Sequence, residues 1–144
     1  MRKKKFLFSK IIICIVLVVI AIILEACFHS EEYNHYKEKD KFIIVEGTIV
    51  HILNQEEKKK VILEVENLTH SFSDICFKIV GENYDLIYER ELINELSIND
   101  EISFHTILGY LGDGYVYPIA SIEVNGVTYL EFEEGYENLM EYYR

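Results

Sequence analysis

The chain has 144 residues, 50% hydrophobic and 27% charged, with 7 Gly and 1 Pro, a balance that excludes a disordered or low-complexity protein and allows one packed domain. Charge is split along it: residues 1–24 carry Arg2, Lys3, Lys4, Lys5 and Lys10 and no acid, whereas residues 28–144 hold 9 Lys plus Arg against 24 Asp plus Glu, a net of −15. So acidic a region repels phosphate backbones, which excludes nucleic acid as a partner, and three cysteines, of which only Cys76 lies well inside the domain, exclude a disulfide framework.

Residues 1–28 read as a basic cytoplasmic tail and a transmembrane signal anchor. Ile11 to Leu24 is an unbroken apolar run in which Ile11, Ile15, Val18, Ile22 and Leu24 would meet lipid. As a helix it covers only about 21 Å of a hydrocarbon core of about 30 Å, so Phe6 to Phe8, a snorkelling Lys10 and Ala26 to Phe28 must supply the rest. Basic residues confined to the N-terminal side place that end in the cytoplasm. The expectation is a single-pass protein of the cell membrane with an extracytoplasmic C-terminal domain. Leu24-Glu25-Ala26-Cys27 resembles the lipobox of bacterial lipoproteins, with Glu25 standing where a small uncharged residue is usual. The resemblance implies lipidation of Cys27. An uncleaved anchor, a lipidated Cys27 and a cleaved secretory signal therefore all stay open, with the anchor favoured.

Residues 29–41 are polar and of mixed charge and read as a solvated juxtamembrane stalk. His29, His35, Glu31 and Glu32 fall there, but their spacing matches no standard ligand pattern and no metal is expected.

The domain is expected over residues 42–132. Phe42 to Leu53 is β-branched and apolar on both faces, a long first strand bent at Gly47. Val61, Leu63 and Val65 alternate with Ile62, Glu64 and Glu66 in a second strand, and Ile75 to Val80 makes a third. Tyr88 to Leu96 places Leu92, Ile93 and Leu96 on one side of a short helix. Ile102, Phe104 and Thr106 begin a fourth strand, and Tyr115 to Val124 makes a fifth. Asn125-Gly126 between two valines predicts a type I′ hairpin to a sixth strand through Tyr129, Leu130 and Phe132. Residues 133–144 form an acidic tail with helical potential.

Up to Val124 this order resembles the OB-fold, a five-stranded barrel with a helix between its third and fourth strands. The resemblance is topological and rests on no residue motif. It implies a mainly β fold, a small OB-like barrel of five to six strands with one short helix, behind one N-terminal transmembrane helix.

No nucleophile elbow, zinc-protease motif, phosphate loop or dinucleotide fingerprint occurs. No catalytic residue, cofactor or metal is therefore assigned, and a non-enzymatic protein is expected. His51, His70 and His105 read as ordinary strand-side histidines, and Asp74, Asp100 and Asp113 as turn residues. Tyrosines crowd the region after Gly109, where plain sheet packing competes with a binding patch of Tyr110, Asp113, Tyr115 and Tyr117. The functional expectation is a membrane-anchored binding or interaction module whose partner is an envelope protein, a peptide or a glycan. A surface protein protecting against a toxin or phage is the runner-up, and an envelope hydrolase the third reading.

Overall fold

The structure, a computed structural model, describes residues 2–72, 75–107 and 116–144. Strands β1 (Phe42–Gln55), β2 (Lys60–Glu66), β3 (Cys76–Val80), β4 (Glu101–Ile107), β5 (Tyr117–Pro118), β6 (Ser121–Val124) and β7 (Val127–Leu130) form an open sheet in the order β5-β3-β2-β1-β4-β6-β7. Helices α1 (Arg2–Tyr36), α2 (Glu82–Glu89), α3 (Leu92–Glu95) and α4 (Phe132–Tyr142) complete the described elements, with short 3-10 turns at Lys39–Lys41 and Glu56–Lys58.

β1 is long enough to serve two partners. Phe42 to Thr48 pairs with β4 and Thr48 to Gln55 with β2, both antiparallel. The handover falls at Gly47, where a Cβ would lie 2.5 Å from Val65 Cγ1 and 2.8 Å from the Glu66 carbonyl oxygen. Only a residue without a side chain lets β2 approach there. β5 runs parallel to β3; Ile119 N–H then donates to Lys78 at 2.8 Å and Ala120 N–H to His105 at 2.9 Å, carrying the chain across to β4. Asn125 (φ 50°) and Gly126 (φ 83°) close the β6–β7 hairpin between Val124 and Val127, as type I′ geometry requires.

Alternation along the strands sends Val45, Ile49, Val61, Leu63, Phe104 and Ile122 into the main core, where Tyr84 and Ile87 of α2 and Leu92 of α3 cover them. A second apolar cluster joins the end of α1 to α4: Tyr36 and Phe42 meet Leu139, Tyr143, Val80 and Ile107. The Tyr136 hydroxyl lies 3.2 and 2.9 Å from the main-chain carbonyls of Tyr36 and Lys37, so α4 supplies a donor that the C-terminal end of α1 lacks.

Several expectations are corrected. The molecule is mixed α/β with an open seven-stranded sheet, where a mainly β barrel of five to six strands with one short helix was expected. The predicted helix over 88–96 is two helices, α2 and α3, separated where Glu91 adopts φ 64°. Phe132 opens α4 instead of ending a sixth strand, and residues 29–36 continue α1 instead of forming a freely solvated stalk. Tyr36 anchors that continuation, being fully buried.

The transmembrane expectation is corrected too: no helix among the described residues is long and apolar enough to cross a membrane. The apolar side chains described on α1, Ile12 to Leu24, span about 20 Å against the roughly 30 Å required, and the helix then runs on through Glu31 and Glu32 to Tyr36. This argues against a single-pass membrane protein. Ile15, Val18, Ile22 and Leu24 are each between 55% and 59% exposed, Ile11 lies in the same helix, and Cys27 is a free, exposed thiol on it.

Candidate binding face

The sheet residues that do not enter the main core come into register across β1, β4 and β6. Ile44 lies opposite His105, which lies opposite Ser121; Glu46 lies opposite Ser103, which lies opposite Glu123; Thr48 lies opposite Glu101. Toward Phe42 this face is covered by Phe132 and Tyr136 of α4. Beyond that it is open, and Ile44 is 54% exposed.

Two hollows adjoin on the open part. The larger, about 410 Å³, is lined by Glu46, Glu101 and Glu123 together with Ser103, Thr69 and Asn125. The smaller, about 170 Å³, shares Ser103 and Glu123 and adds Ile44, His105, Glu131 and Phe132. Neither has a Lys or Arg in its lining among the described residues. Glu46 and Glu123 are two strands apart, roughly 10 Å, a separation at which two like charges cost about 0.4 kcal/mol in a water-like dielectric. No ion pair involves Glu46, Glu101 or Glu123 among the described residues. These carboxylates are thus inexpensive to hold, yet they bring the fold no ion pair.

His105 forms the wall between the hollows and α4. Its ring stacks on Phe132 at a centroid distance of 4.1 Å and 20° between planes. Its Nδ1 lies 2.7 Å from Ser121 Oγ, and that same oxygen accepts the His105 main-chain N–H at 3.0 Å. Burial holds the imidazole below its ordinary pKa, favouring the neutral ring. Ser121 is 8% exposed, and its oxygen is occupied in tying β6 to β4. No carboxylate among the described residues is hydrogen-bonded to the His105 ring. Among the described residues no group of His, Cys, Asp and Glu could hold a metal ion.

Of the predicted patch, Tyr110, Asp113 and Tyr115 lie outside the described residues. Tyr117 is 2% exposed, with ring contacts to Phe72 at 5.1 Å and Phe77 at 5.9 Å, so it belongs to the core and offers nothing to a ligand. The residues that do form an open face were not grouped by sequence reasoning. The available signal was the polar alternation Glu101, Ser103, His105 along β4. Comparison with known protein families, with curated proteins and with solved structures finds no match to this chain.

Proposed function

We propose that the chain is a non-enzymatic binding module that engages its partner, a protein, a peptide or a glycan, through the open face of β1, β4 and β6. The observation that carries this reading is the half-exposed Ile44 set beside three carboxylates without ion-pair partners, on the side of the sheet that the main core does not use.

A photoreactive residue placed at Ser103 should crosslink a discrete partner, whereas one placed at Glu57, in the turn between β1 and β2, should not. Equal capture from both positions would sink the proposal.

A further inference from the structure

Resting on that reading of the open face, we infer that its occupant is a protein segment bearing lysine or arginine, its aliphatic stem laid against Ile44 and its charged head held among Glu46, Glu123 and Glu131. Three observations meet here. The first is charge. The hollows contain four carboxylates and, among the described residues, no cation in their lining, within a region of net charge −15, so the local field and the long-range field attract the same sign.

The second is shape and polarity. A purely ionic surface would attract metal ions or any polycation, but the apolar Ile44 and the stacked His105–Phe132 rings form a strip beside the acids. Long basic side chains have this two-part character, an apolar stem with a charged tip. A simple cation has no stem to bury.

The third is that the molecule already shows this mode at the rim of the same surface. Lys39 sets its ammonium 5.5 Å from the centroid of the Phe132 ring and 5.2 Å from that of Tyr136, and ends on the Glu133 carboxylate. A lysine reaching the adjoining hollow from outside would meet carboxylates beside an apolar wall in the same way.

The test is a titration of the full-length, isotope-labelled chain, kept monodisperse in a neutral detergent, with oligolysine, oligoglutamate and a neutral chitin oligosaccharide, following the backbone amides. Oligolysine should move Ser103, His105 and Glu123 saturably. Replacing Glu46→Gln and Glu123→Gln together should weaken it roughly threefold to tenfold, as two exposed ion pairs would. Oligolysine shifts spread over the whole acidic surface and unaltered by the double substitution would overturn the inference, because attraction would then be general. Movement of these three amides by the sugar or by oligoglutamate in place of oligolysine would overturn it while leaving the face as a binding site. No movement with any probe also overturns it, and the Ser103 crosslink then decides separately whether the face binds anything.

Discussion

The side-chain amide of Asn83 donates to the main-chain carbonyl of Gly135 at 2.7 Å, while its own oxygen accepts from Asn138 Nδ2 at 3.0 Å. Asn83 is fully buried at the start of α2, and both partners lie on α4. The contact therefore locks α4 in place, and α4 carries the Phe132 ring that backs the open face.

Asn83→Ala should cost about 1–3 kcal/mol, because it removes a buried donor to the Gly135 carbonyl and the acceptor that Asn138 uses. Asn83→Asp should cost more, since it sets a carboxylate oxygen where a donor is needed. Urea denaturation checks both; an Asp variant as stable as the parent would show that the bond does not hold α4.

Gly135→Ala opposes two effects. Alanine is favoured over glycine in a helix by about 1 kcal/mol, but its Cβ would lie 2.0 Å from the main-chain oxygen of Ala120. Main chain cannot yield as a flexible side chain can, so overpacking of about 1–3 kcal/mol should prevail and lower the denaturation midpoint. A raised midpoint would mean that α4 can shift away from β6.

Tyr36→Phe should stabilise the protein. The Tyr36 hydroxyl is buried with no hydrogen-bond partner among the described residues, while its ring keeps an edge contact with Tyr143 at 5.0 Å. Removing an unpaired buried hydroxyl and retaining the ring should raise stability by about 1 kcal/mol in chemical denaturation. A loss of stability would show that the hydroxyl is satisfied.

Stability should fall in acid through His105 and His35. Burial lowers the His105 pKa in the folded chain, and burial followed by the nearby Lys41 charge lowers that of His35. The unfolded chain then binds protons first, so the contribution of each is fully present above about pH 6.5 and is lost as pH falls through the folded value. Thermal midpoints should decline between pH 7 and pH 5, and His105→Gln should make the decline shallower. An unchanged slope in the variant would remove His105 from this account.

What could be read in the sequence was local. Asn125-Gly126 was legible because a type I′ turn demands positive φ at both positions, and β1, β2 and β4 were legible from alternation. The run from Glu31 to Tyr36 was not, because its helix is held by Tyr36 meeting Leu139 and Tyr143 far along the chain. Phe132 continued an alternating pattern and so read as strand, yet Gly135 admits the close approach to Ala120 that suits a helix packed there. The open face was hidden for the same reason: Glu46, Ser103 and Glu123 come from three strands, and only their register makes them neighbours.

The central claim, that the open face of β1, β4 and β6 is where this protein binds, is tested most directly by the yield of partner crosslinked from a photoreactive residue at Ser103 in the parent chain and in the Glu46→Gln, Glu123→Gln double variant. The account expects a discrete partner whose yield drops severalfold in the variant while the variant stays folded. No discrete partner from the parent would contradict it, whereas an undiminished yield in the variant would overturn only the role given to the two carboxylates.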